Sequence, residues 1–172
     1  MLYLVPLYLQ HRMNKMKLSL LTILTILWFT AGAQNITVSG RGISTVTLGK
    51  AEISALKPVI IMAKGHDQKV HRYTGAALAD VLKRAGVILG DSSKRETILS
   101  YIIVTAADKY KAIYALPEID PLFANRTIIL AYKVDKKALP ENDAPFQIIV
   151  AGEKKHARWV RQVSAIELVT AK

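Results

Sequence analysis

From residue 36 onward, short apolar stretches alternate with polar ones in a pattern that suits strands better than helices. Ile36-Thr37-Val38 and Thr45-Val46-Thr47-Leu48 alternate about Gly40-Arg41-Gly42, which predicts strand, turn and strand. Pro58 opens Val59-Ile60-Ile61-Met62, a run rich in β-branched residues that predicts a buried strand, and Lys64-Gly65-His66-Asp67 then turns the chain. Leu78, Val81, Leu82 and Ala85 recur at helical spacing, with Thr74 predicted as the N-cap and Gly86 as the left-handed C-terminal residue. Further strands are predicted over residues 101–104, 127–132, 146–150 and 166–169. Residues 108–125, with Pro117 and Pro121, read as an irregular connection with room for a short helical turn. Strands outnumber helices and one main helix lies among them, so the class is α+β, a mixed β-rich domain.

The segment before residue 34 has a different pattern. Met13-Asn14-Lys15-Met16-Lys17 is basic, residues 18–29 are largely apolar and uncharged, and Ala31-Gly32-Ala33 offers small residues at a cleavage site. Residues 1–33 therefore read as a signal peptide with Gln34 as the mature start, and residues 1–12 as an over-extended start before an initiating Met13. An uncleaved anchor is the other reading, but an apolar core of about a dozen residues falls short of the ~20 needed to span a bilayer. The expectation is an exported protein, periplasmic or secreted, with one domain over residues 34–172 and no transmembrane segment in the mature chain.

Charge and cysteine content narrow the chemistry. The full chain carries a net charge of +11, and losing Arg12, Lys15 and Lys17 with the leader leaves +8, which favours anionic partners. There is no cysteine, so the core must hold without disulfides and there is no thiolate for catalysis or metal binding. An exported chain of this kind suits a bacterial envelope. Nucleic-acid binders interleave basic residues with several stacking aromatics; Trp159 is the one tryptophan after residue 33, and no nucleic-acid partner is expected.

Candidate site residues fall in three places. His66 and Asp67 adjoin in a predicted turn, where the readings are a weak metal pair or a solvated turn. None of His66, His71 and His156 has the two-histidine spacing of a zinc site, and no metal site is predicted. Asp108 and Tyr110 follow a predicted strand, where polar groups are well placed for a ligand or where tyrosine folds onto the core. The stretch Gly152-Glu-Lys-Lys-His-Ala-Arg-Trp-Val-Arg-Gln-Val163 gathers Lys154, Lys155, His156, Arg158 and Arg161 around Trp159. It reads as a loop closing over an anion or as a solvated basic turn. If it is extended, Arg158, Val160 and Gln162 share one face, and Trp159, Arg161 and Val163 the other, with Trp159 as a core anchor. The acidic pairs Glu118/Asp120 and Glu141/Asp143 lie beside prolines and read as turn residues, not as a catalytic pair.

Four stretches, in order, resemble the molybdopterin-binding domain of the sulfite-oxidase-type oxidoreductases. They are Tyr73-Thr-Gly-Ala-Ala-Leu-Ala-Asp-Val-Leu82 before Ala85-Gly86; Val104-Thr-Ala-Ala-Asp-Lys-Tyr110; Ile129-Leu-Ala-Tyr132 with Lys136-Lys137-Ala138-Leu139-Pro140; and Ala144-Pro-Phe-Gln-Ile-Ile-Val150 leading to Lys155-His-Ala-Arg-Trp-Val-Arg161. The resemblance spans about residues 36–169. It implies a mixed α+β fold and a molybdenum held by a pyranopterin dithiolene and one protein cysteine, acting on small oxo-substrates. The matching place for that cysteine is around Met62-Ala63-Lys64, and none is there. Two functions are therefore expected as alternatives. One is a non-catalytic binding or accessory module for a small anionic ligand. The other is a molybdopterin-dependent oxidoreductase with a non-cysteine metal ligand and a redox partner protein. In either, His66, Asp67, Asp108, Tyr110, Lys155, His156, Arg158 and Arg161 are the candidate cofactor-binding residues. A third, nonspecific reading is attraction of the +8 chain to anionic envelope surfaces.

Overall fold

The structure, a computed structural model, describes residues 35–90 and 94–171; the expected leader lies outside the described residues. The hairpin of β1 (Asn35–Gly40) and β2 (Val46–Gly49) forms as expected. It is one side of a five-stranded sheet completed by β5 (Ser100–Ala106), β6 (Lys111–Ala115) and β10 (Val163–Thr170), in the order β2-β1-β10-β5-β6. β1 and β10 are parallel, with Thr37 opposite Ala165, and the other pairs are antiparallel. Along β5, Ile102, Val104 and Ala106 are buried while Tyr101, Ile103 and Thr105 are less so, the period of two that a sheet with one core face requires.

A second, antiparallel sheet joins β3 (Pro58–Lys64), β4 (Val70–Ala77) and β7 (Ile128–Val134); the far edge of β7 is shared by β8 (Lys137–Ala138) and β9 (Gln147–Val150). Residues 128–132 and all of β9 are buried, so these strands are covered on both faces, which is why their sequences are continuous apolar runs. Pro58 begins β3 at the sheet edge, where a missing N–H costs no ladder bond. One apolar core draws on both sheets, including Ile36, Ile102, Tyr114, Leu130, Phe146 and Ile148.

Among the described residues four short helices decorate the sheets: α1 (Lys50–Ala55), α2 (Leu78–Arg84), α3 (Lys94–Ile98) and α4 (Leu116–Ile119). α2 is the predicted main helix, and Leu78, Val81 and Leu82 are fully buried beneath it. Gly86 takes the predicted left-handed conformation, with φ of +93°. Thr74, however, is not its cap. It lies inside β4, paired with Ile60 and Lys133, and the strand runs directly into the helix through Ala77, which offers no capping side chain. Just after Thr74, the register slips at Gly75, where a Cβ would stand 2.3 Å from the Leu130 carbonyl oxygen; only glycine lets β4 and β7 come this close.

Two further expectations are corrected. Residues 108–125 are not merely irregular: β6 occupies part of them, an edge strand that buries Ala112 and Tyr114 and exposes Ile113, and α4 supplies the short helical turn. The segment after Gly152 is not extended. It crosses from β9 in one sheet to β10 in the other through a 3-10 turn, His156–Arg158, so strand alternation does not apply and Trp159 and Val160 are both buried. Ile148 N donates to Val160 O (2.9 Å) and Val163 N to Phe146 O (2.9 Å), which fastens the crossover to β9.

Candidate functional site

Two turns and the crossover meet to form a cleft of two lobes, about 240 and 360 Å³, which share His66, Trp159 and Arg161 as a common wall. Trp159 is the fixed point. It is buried and donates from Nε1 to Val150 O at 3.1 Å, which satisfies its polar edge. Tyr73 meets it edge-on at 5.7 Å between ring centres, His156 stacks on it at 4.1 Å, and His66 meets His156 edge-on at 4.8 Å. The cleft thus carries a continuous band of aromatic rings.

The first lobe is lined by the β3–β4 turn and the β7–β8 turn. In the former, Gln68 N donates to Gly65 O (3.0 Å) and Gly65 N to Lys69 O (2.8 Å). In the latter, Asp135 and Lys136 both have positive φ, +49° and +65°, the backbone of a two-residue hairpin turn whose twist matches its strands. His71 joins the two turns: Nδ1 lies 2.7 Å from Asp135 Oδ2, and Nε2 lies 3.0 Å from Asp67 Oδ1. With a carboxylate on each ring nitrogen, the protonated imidazole donates twice, and Asp135, then Asp67, raise the His71 pKa above its ordinary value. Both carboxylates are correspondingly held low. Asp67 is lowered first by the Lys69 backbone N–H and Asp135 by that of Arg72, and each next by His71. On the far side of this lobe Arg161 Nε lies 3.1 Å from Asp143 Oδ1; this is an ion pair without hydrogen-bond geometry, and that buried oxygen accepts no hydrogen bond.

The second lobe is lined by Asp108, Tyr110, Asn142, His156 and Gln162 besides the shared wall. Asp108 Oδ1 accepts from Tyr110 N (2.9 Å), and Tyr110 donates from its hydroxyl to Ala157 O (2.7 Å), tying β6 to the crossover. His156 titrates below its ordinary value, through burial first and then the neighbouring His66 and Arg161.

The sequence-predicted residues are therefore sorted. His66, Asp67, Asp108, Tyr110, His156 and Arg161 all line the cleft. Lys155 is exposed and lines neither lobe, and Arg158 points elsewhere. Its guanidinium binds both Glu118 oxygens (2.8 and 3.2 Å), binds Glu153 (2.8 Å from Nε), and lies 4.9 Å over the Tyr114 ring. The Tyr114 hydroxyl donates to the Arg158 carbonyl oxygen. Glu118 also accepts from Arg126 (2.7 Å), and Asp120 is buried and receives Gly90 N and Leu122 N, so both carboxylates tie local structure together. His71, Tyr73, Asp135, Asp143 and Gln147 also line the cleft, though no site role was expected of them. A signal existed for two: His71 and Tyr73 alternate along one face of β4, the strand hidden by reading Thr74 as a helix cap.

The sequence pattern of the oxidoreductase molybdopterin binding domain matches residues 37–172. No curated protein matches the chain. Among solved structures, the sulfane dehydrogenase SoxCD from Paracoccus pantotrophus has a similar fold, with a TM-score of 0.61 at 14% identity, over 78% of this chain. The match covers 37% of that structure's chain, so this protein spans little more than a third of its length.

Proposed function

This chain belongs to the oxidoreductase molybdopterin-binding domain family, and from that premise we propose that it is an exported, non-catalytic binding or accessory module that holds a small anionic ligand in the second lobe of its cleft. The fit of the family's cofactor divides in two. Residues for an anionic, flat ligand are present: Arg161 and His66 at the wall, His156 beside them, and Trp159 behind. Arg161 supplies a fixed positive charge with fork geometry, and the rings supply a surface for stacking.

The cysteine that would ligate molybdenum is not present. Ala63 is buried, and Met62 and Lys64 are exposed; neither Met62 nor Lys64 lines the cleft. Among the described residues no group of three or more His, Asp or Glu side chains is placed to hold a metal ion. In the first lobe His71, Asp67 and Asp135 are committed to one another. A thioether facing solvent cannot replace a thiolate that both binds the metal and sets its potential. This observation carries the non-catalytic reading. The first lobe, with three carboxylates against His71 and Arg161, is the poorer place for an anion, which is why the ligand is assigned to the second.

The leader supports export, to the periplasm or beyond, and a redox enzyme is the partner class that the family suggests for an accessory module. Expressing the chain with its leader in a host that makes the cofactor, and purifying it from the periplasm, tests these points together. Mass spectrometry should find molybdenum far below one equivalent. Near-stoichiometric metal together with pterin fluorescence would replace this reading with a molybdopterin-dependent oxidoreductase that uses a non-cysteine ligand. Recovery of the chain only from the cytoplasm would remove the export proposal.

A further inference from the structure

A third cavity, about 280 Å³, lies at the opposite end of β5 and β10. These strands pair antiparallel, with Ser100 opposite Thr170 and Ala106 opposite Val163. Ser100 and Thr170 line this cavity and Ala106 lines the cleft, so the two sites are roughly 20 Å apart at ~3.3 Å per residue. They share no lining residue.

The lining of this cavity is chemically divided. Ile43, Val87, Ile88, Leu116 and Leu168 form an aliphatic surface, and Ile88 is 66% exposed, far more than an aliphatic side chain with an available core position. Arg41 is the one charged residue of the lining; it is exposed and forms no ion pair among the described residues. Ser100 and Thr170 hydrogen-bond each other at 3.2 Å, and the buried Thr97 has a partner of its own, so the polar groups of the floor are engaged within the protein. Gly42 and Gly86 also line the opening. Both have positive φ, and no described atom stands within 4 Å of where a Cβ would be, so the space beside these two glycines is open.

We propose that this cavity binds a single-chain anionic amphiphile, with its headgroup on Arg41 and its alkyl chain along the aliphatic wall. A cationic ligand finds no carboxylate among the described residues of the lining. An inorganic anion leaves the aliphatic wall wet, and a neutral hydrocarbon leaves Arg41 unused. Ligand cavities run from ~300 to ~1,000 Å³, so this one takes a short chain and excludes a two-tailed lipid. The site is independent of the anion proposed for the cleft.

Titration calorimetry with decanoate, below its micelle-forming concentration, is the test, with decyl phosphate and 1-decanol as companion probes. Decanoate or decyl phosphate should bind, and whichever binds tighter identifies the headgroup. Arg41→Gln should weaken both by roughly tenfold or more, as expected for loss of a charged hydrogen bond, and leave 1-decanol unchanged. Ile88→Asp, at an exposed position that does not endanger folding, should weaken the anions through repulsion. Arg161→Gln in the cleft should leave decanoate binding unchanged. The proposal is overturned by equal decanoate affinity in parent and Arg41→Gln, by loss of binding in Arg161→Gln, or by no binding of either anion.

Discussion

Arg158 and Arg161 are three residues apart in one crossover, and they have opposite surroundings. Arg158 is enclosed by Glu118, Glu153 and the Tyr114 ring, and its hydrogen bonds to these carboxylates hold its pKa above even the usual arginine range. Among the described residues Arg161 has one ion-pair partner, Asp143, without a hydrogen bond between them, and it lines both lobes of the cleft. One charge holds the crossover on β6 and α4, and the other lines the cleft. Local charge density cannot separate the two, because what differs is where the chain bends: the 3-10 turn at His156–Arg158 sends these side chains in different directions.

Substitutions can break or sharpen this contrast. The largest effect is expected from Trp159→Ala, which removes the wall behind Arg161 and the anchor of the whole crossover; loss of a buried tryptophan costs about 3–5 kcal/mol in chemical denaturation. Arg158→Ala should cost about 1–3 kcal/mol, less than a fully buried pair because the side chain is partly exposed, since it strands Glu118 and Glu153; binding of an anionic probe to the variant that still folds should persist. Arg161→Gln should do the reverse. Stability should change by less than about 1 kcal/mol, while the affinity for pterin-6-carboxylate, read from Trp159 fluorescence, falls roughly tenfold. If Arg158→Ala abolishes probe binding and Arg161→Gln does not, the assignment of the two arginines is wrong.

The smallest effects concern pH. His71, raised by its two carboxylates, contributes stability that is full below its ordinary value of 6.5 and is lost as pH rises through its raised value. Asp67 and Asp135, both lowered, contribute above their ordinary 3.8 and lose that contribution as pH falls through their lowered values. The Tm difference between parent and His71→Gln should therefore be greatest between those limits and shrink on either side. By NMR titration, His71 should deprotonate above 6.5 and His156 below it, and an anion in the second lobe should move His156 upward.

The family was legible because its ordered motifs sit on elements that read clearly: α2 with its buried Leu78, Val81 and Leu82, and the apolar runs of β7 and β9. Six of the eight proposed site residues come together because turns and crossovers carry polar groups that the core cannot take. What was hidden depends on tertiary partners. β4 ends in a helix without a cap, so Thr74 offered a false boundary, and His71 and Tyr73 were passed over with the strand. β6 is short and half exposed, and its place is decided by pairing with β5. Arg158 met two carboxylates that lie 5 and 40 residues away, one of them well beyond any local pattern.

The parallel pairing of β1 with β10 sets when the molecule can finish folding. Thr37 meets Ala165 across nearly the whole described chain, so the first strand waits for the last before its inner edge is covered. Contacts of such long sequence separation form late and slowly, because the loop must close before the pairing rewards it. β10 is the last of the described strands and the central one of the first sheet, so the β1–β2 and β5–β6 hairpins remain separate until it pairs with both. A single strand thus closes both hairpins at once, and the two halves of the sheet share one final step.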